Sequence, residues 1–196
     1  MATVFDDLLL KGIRQGQIPA RQQTARDWFR SSAQGKSGAT PERIARGNRE
    51  ALKNRPAIGR MYHFYYDPKT KAKLPYYDTF PLIFMVGAAP GGFYGINLHY
   101  LPLKLRAQLM DALYDTANNQ RFDESTKLKI SYDILKGASK FGPFKPTFKH
   151  YLKAHVRSRF IQVEPSEWDI ALFLPTERFE KASKRTVHAA SRKMLK

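Results

Sequence analysis

Lysines at positions 136, 140, 145, 149 and 153, followed by Arg157 and Arg159, recur every four to five residues, and Phe141, Phe144, Phe148 and Tyr151 are interleaved with them. No Asp or Glu falls between residues 134 and 159. Cations in such a ladder suit one chemistry above others: they neutralise successive phosphates and release condensed counterions, without reading sequence. The spacing predicts a helix from Pro146 to about Val156, with Lys145, Lys149 and Lys153 on one face. Phe148, Tyr151 and Leu152 then turn inward. Aromatics in such company also stack on exposed bases, but their alternation with lysine points to core packing for most of them.

The ladder belongs to a larger imbalance, 34 Lys+Arg against 17 Asp+Glu in 196 residues, a formal net charge of +17. Residues 1–59 carry a net +6, 60–133 only +2, 134–159 +7, 160–180 −4 and 181–196 +6. The excess therefore lies in blocks, which favours a basic binding surface over a uniform halo. Beside the ladder, the candidate phosphate contacts are Arg43, Arg46 and Arg49 near the N-terminus, and Lys184, Arg185, Arg192 and Lys193 in the tail. An anionic membrane surface fits less well, since no segment joins a basic face to a broad apolar one.

Other chemistries find weaker support. With no cysteine there is no disulfide scaffold, thiolate zinc site or cysteine nucleophile. Gly35-Lys36-Ser37 imitates the end of a phosphate-binding P-loop, but Arg30 stands where the motif requires its first glycine. His150 and His155, five apart, would lie about 140° apart around a helix and could not share a metal as an i, i+4 pair does. The acids Glu164, Glu167, Asp169, Glu177 and Glu180 raise the thought of a metal-dependent nuclease, yet lack motif spacing and read better as helix-start acids after Pro165 and Pro175. No cofactor, metal or catalytic residue is read from the chain.

These residues must be positioned by one domain of ordinary size. Residues 1–57, with the polar stretch from Ser31 to Thr40, read as a basic, partly helical arm that orders on a partner. Thr40-Pro41-Glu42 opens a helix expected to run to about Asn54. Residues 60–66, Phe80 to Val86 and Phe93 to Tyr100 read as strands separated by Pro- and Gly-rich loops. Residues 62–100 hold 11 of the 25 aromatic residues, the composition of a packed interior. Helical spacing follows in Leu103 to Tyr114 and from about Asp123 to Gly137, then a strand from Arg159 to Val163, a short helix after Pro165 and a final basic helix after Pro175. The expected fold is α+β: a small SH3-like or curled antiparallel sheet followed by several helices, with an extended basic N-terminal arm. Its divisions are the arm at 1–57, a globular domain at 58–180 and a basic C-terminal helix at 181–196. The longest apolar stretches, Phe80 to Val86 and Ile170 to Leu174, are too short to span a bilayer, so a soluble protein without a membrane partner is expected.

Several strings resemble the minor virion proteins called DNA end protectors in large contractile-tailed phages of the T-even type. They are Leu74 to Leu82 (LPYYDTFPL), Gly95 to Pro102 (GINLHYLP) leading into Lys104-Leu105-Arg106, Tyr132 to Lys136, Tyr151 to Phe160 (YLKAHVRSRF) and Trp168 to Phe179 (WDIALFLPTERF). The resemblance implies a non-enzymatic virion protein of the head or neck, made in the host cytoplasm, that binds double-stranded DNA at the packaged genome's end. It implies neighbouring virion proteins as further partners and supplies no catalytic residues. An end binder also needs a group that recognises a terminus, and Phe141 or Phe144 stacking on the last base pair is the expectation. Two other readings stand beside it: a structural connector, neck or baseplate subunit docking by its aromatic-rich barrel, and the metal-dependent nuclease.

Overall fold

The computed structural model describes residues 3–18, 22–47, 51–117, 121, 123–138 and 142–193. Three helices come first, α1 (Val4–Arg14), α2 (Gln23–Gln34) and α3 (Pro41–Gly47), and then the strands β1 (Leu52–Lys53), β2 (Met61–His63), β3 (Tyr77–Asp78), β4 (Leu82–Ala89) and β5 (Gly92–Asn97). Helices α4 (Leu103–Ala117) and α5 (Glu124–Ala138) follow, then β6 (Phe148–Leu152), β7 (Phe160–Val163), α6 (Trp168–Phe173), β8 (Phe179–Glu180) and α7 (Lys184–Lys193). The α+β class expected from the sequence is the class observed.

Six strands pair antiparallel in the order β1-β7-β2-β4-β5-β6, while β3 and β8 form a separate pair. The larger sheet curls until Tyr66, just past β2, bridges to Val156, just past β6. Side-chain alternation along the strands then separates two cores. One face turns Tyr62, Phe64, Tyr66, Ile83, Met85, Phe93, Tyr151 and Phe160 into the interior of the curl. Their rings meet mostly edge to face, for example Phe64 and Tyr151 with centroids 5.3 Å apart. The other face turns Met61, Leu82, Phe84, Ile96, Ile161 and Val163 toward the helices. Most of the central aromatic block is thus spent on packing.

The structure departs from the sequence reading first at the N-terminus. The segment expected as a loose arm is folded against the domain. Thr3 and Asp6 close a reciprocal cap at the start of α1, with bonds of 2.8 and 2.9 Å. Phe5 and Leu8 of α1, Phe29 and Ala33 of α2, and Ile44 of α3 join the core that includes Ile170, Leu172 and Phe173 of α6. A Cβ on Gly12 would lie 2.4 Å from the Phe29 ring, so glycine is what lets α1 and α2 approach. Arg30 locks the arrangement, its Nε donating to Asp169 Oδ1 at 2.7 Å and its Nη2 to Asp111 Oδ1 at 2.7 Å. The arm looked sparse because its helices bury only narrow stripes, completed by α6 more than a hundred residues away.

The second departure concerns the ladder. Pro146 and Thr147 end a 3₁₀ segment, and residues 148–152 form a strand paired to β5 from Ile96↔Phe148 to Gly92↔Leu152. The spacing that suggested one helical face is also compatible with alternation, and pairing with β5 decides between them. Gly92 permits this pairing: a Cβ there would sit 1.8 Å from the Tyr151 carbonyl oxygen. Thr40 does cap α3, accepting from the Arg43 amide at 3.3 Å, but Leu52 and Lys53, expected within the helix, pair with β7 instead. The last helix begins only at Lys184, because Phe179 and Glu180 first pair with β3.

Candidate nucleic-acid interface

Lys145 lies exposed in the 3₁₀ segment, Lys153 exposed just after β6, and Arg157 and Arg159 exposed on the way into β7. Arg157 approaches Asp67 at 3.5 Å and Arg159 donates to the Leu52 carbonyl at 2.9 Å, which holds both near the sheet. Arg43 and Arg46 are exposed on α3, and Arg185, Arg192 and Lys193 on α7. Lys136 is exposed at the end of α5, its ammonium 5.7 Å from the Tyr132 ring centroid. Lys184 is engaged: its Nζ lies 2.5 Å from Glu177 Oε1. Phe144 packs partly buried against the helix-side core, a poor position for stacking on DNA. Arg49, Lys140 and Phe141 lie outside the described residues. The strand thus breaks the expected single face and leaves Lys145 and Lys153 outside while Lys149 turns in.

Lys149 shares a strand face with Tyr151 and enters a cleft at the mouth of the curled sheet. The cleft has a volume of about 290 Å³, and its walls include Lys69, Leu74, Tyr76, Tyr100 and Asn97. The Lys149 ammonium sits 4.1 Å from the Tyr100 ring centroid, a cation–π contact. Burial pushes this amine down to about 8, against the pull of the Asp78 carboxylate. Its outer wall, residues 67–74, is pinned by Lys181, whose Nζ donates to the carbonyls of Lys71, Ala72 and Leu74 at 2.6, 3.0 and 3.1 Å. Lys181 adopts φ 68° to do so. On the opposite face of β6, Phe148 is 38% exposed and stacks on Tyr94 at 5.1 Å, with His150 beside Tyr94 at 5.3 Å. Sequence reasoning missed Lys69, Tyr76 and Tyr100, which counted there only as turn or core residues.

Behind the cleft lies a buried polar network. Asp78 Oδ2 accepts from Asn97 Nδ2 at 3.1 Å and pairs with His99 Nδ1 at 2.7 Å, while Asp78 Oδ1 accepts from the Phe80 amide at 3.0 Å. His99 Nε2 meets Thr176 Oγ1 at 3.2 Å. Asp, His and Thr in this order imitate a hydrolytic relay, but His99 and Thr176 are both 0% exposed, as in a structural network. Arg106, fully buried, donates to the carbonyls of Leu101, Leu172 and His99 at 2.8, 2.7 and 3.2 Å and to Glu177 Oε1 at 2.6 Å. Burial alone would raise the Glu177 carboxyl, yet His99, Arg106 and Lys184 hold it at about 2.

The acids that raised the thought of a nuclease are therefore dispersed. Asp169 faces Arg30, Glu177 faces Arg106 and Lys184, and Glu167 accepts from the Glu164 amide at 3.0 Å. Among the described residues no group of three or more His, Asp or Glu is placed to hold a metal ion. Nor is any helix among them long and apolar enough to cross a membrane.

Residues 8–196 match the family described as phage T4 terminal DNA protecting protein. The chain belongs to this terminal DNA protecting family. The match takes in α2, α3 and most of α1, so it reaches well beyond the strings that first suggested this terminal DNA protecting family. Among curated proteins and among solved structures, nothing matches the chain.

Proposed function

We propose that this is a non-enzymatic virion protein that binds the terminus of packaged double-stranded DNA in the head or neck and shields it from exonucleases, alongside neighbouring virion subunits. The observation that carries the reading is the match of residues 8–196 to a family described by terminal DNA protection. The charge supports it: Lys145, Lys153, Arg157 and Arg159 are exposed on a stretch without one acid. Arg43 and Arg46 on α3 and Arg185, Arg192 and Lys193 on α7 are further exposed cations for the same phosphates. Lys136 belongs to that set, while Lys184 serves mainly to neutralise Glu177.

The test pairs linear duplex with covalently closed circles of the same sequence. The protein is expected to slow exonuclease digestion of the linear form and to bind it more tightly than the circle. Equal binding to both, with no protection, overturns end protection in favour of general coating. Incorporation into DNA-free tails would instead support the connector reading.

A further inference from the structure

The cleft at the mouth of the curled sheet is built differently from the exposed cations around it. Surface lysines on 145 and 153 can meet any phosphate along a duplex, because nothing encloses them. Lys149 is recessed: it stands on β6 beside Tyr151, its ammonium lies over the Tyr100 ring, and among the described residues no carboxylate or carbonyl takes its hydrogen bonds. The carboxylate that acts on it, Asp78, is already committed to Asn97, His99 and the Phe80 amide. A partly desolvated ammonium whose donors face a cleft has lost some of its hydration and gains from an anion that enters the cleft. Burial holds its basicity down to about 8, with the Asp78 carboxylate pulling the other way.

The walls narrow the anion's identity. Tyr76, half-buried, and Lys69, exposed at the rim, face a space of about 290 Å³, near the lower end of small-ligand clefts at roughly 300 Å³. A ring for a base and ammonium groups for phosphate are what a single nucleotide requires. An internal phosphodiester carries a nucleotide on either side and suits an open groove. A terminal phosphomonoester continues on one side only and carries about one more negative charge near neutral pH.

We propose that this cleft receives the phosphorylated terminal nucleotide of a DNA end, with Lys149 taking the phosphomonoester, Tyr76 stacking on the base and Lys69 meeting the next phosphate. The assignment rests on the DNA-end function proposed above and names the feature of the end that is recognised. It gives the reading of a terminus to Lys149 and Tyr76, while Phe144 is packed against the core.

The experiment measures binding of the full chain to blunt duplexes carrying a 5′-phosphate, a 3′-phosphate or hydroxyls only. Wild type should prefer one phosphorylated end over the hydroxyl end by roughly tenfold, the worth of a charge-assisted hydrogen bond, and the 5′ and 3′ arms say which. Lys149→Met, which keeps the stem and removes the charge, should abolish that preference while leaving salt-dependent duplex binding in place. Thymidine monophosphate and inorganic phosphate, titrated into wild-type protein labelled at lysine nitrogens, should shift the Lys149 resonance, which keeps the proposal testable if the variant misfolds. Duplex binding that persists without any preference for phosphorylated ends, or a preference that survives in Lys149→Met, overturns this inference alone. Loss of all duplex binding by the wild type would instead overturn the DNA-end function.

Discussion

Glu167 and Arg106 show how single residues set the conditions under which this fold holds. Burial raises the Glu167 carboxyl to about 7, the Glu164 amide opposing this and the Asp6 and Glu164 carboxylates adding to it. Between the ordinary value near 4.5 and about 7 the folded chain binds a proton that the unfolded chain has released, so this group's contribution is lost as pH rises through that window. Glu167→Gln keeps an acceptor for the amide and removes the charge. It should raise stability at pH 8 by about 1 kcal/mol, a figure reduced for partial solvation, and leave pH 5 nearly unchanged. Parallel melting profiles for variant and wild type across pH 5–8 would sink the assignment. Glu177 behaves oppositely: held at about 2, it contributes stability above its ordinary value near 4.5 that is lost as pH falls toward 2. Arg106→Met leaves that carboxylate with Lys184 as its remaining ion-pair partner and unpairs three buried carbonyls, and should cost about 3–5 kcal/mol in chemical denaturation. A loss under 1 kcal/mol would mean the site repacks.

At the scale of elements, two close approaches carry the architecture. Gly12 lets α1 lie against the Phe29 and Trp28 rings of α2, and Gly92 lets β5 lie against the backbone of β6. Gly12→Ala should destabilise by about 1–3 kcal/mol, the range of an overpacked core. Gly92→Ala should cost more, because its obstacle is main chain and no rotamer relieves it. Denaturant midpoints rank the two, and the reverse order would contradict the pairing of β5 with β6. The same elements explain why the packing of α1 and α2 against the domain is not legible in the sequence. Leu10, Ile13 and Ile18 remain over half exposed, so the N-terminal apolar residues divide between core and surface and blur the helical stripe. Strands β2, β4 and β5 were legible because β-formers, turn residues and glycines agree locally.

For the whole molecule the net charge of +17 sets the solution behaviour. Affinity for duplex should fall steeply from low to physiological salt. Replacing Lys145, Lys153 and Arg157 together by glutamine should flatten the dependence of log affinity on log salt by about 0.9 for each phosphate contact removed. An unchanged slope would show that phosphates are met elsewhere, on α3 or α7. The variant should weaken binding uniformly across sequences, since backbone contacts carry no base readout.

Local sequence is enough for the α+β class, the strands at the centre, helices α4 and α5, and the blockwise charge, because each depends on neighbours within a few residues. Its strings also carried the family resemblance that residues 8–196 bear out. Tertiary structure decided whether the lysine ladder was helix or strand, since Phe148 to Leu152 satisfy both periods and only the hydrogen bonds offered by β5 choose. That choice turned Lys149 inward over Tyr100 while leaving Lys145 and Lys153 outside, and so divided one basic run into surface cations and a recessed one. The cleft depends on contacts between residues 66–78, 97–100 and 149–152, far apart in the chain, and no local spacing could have announced it.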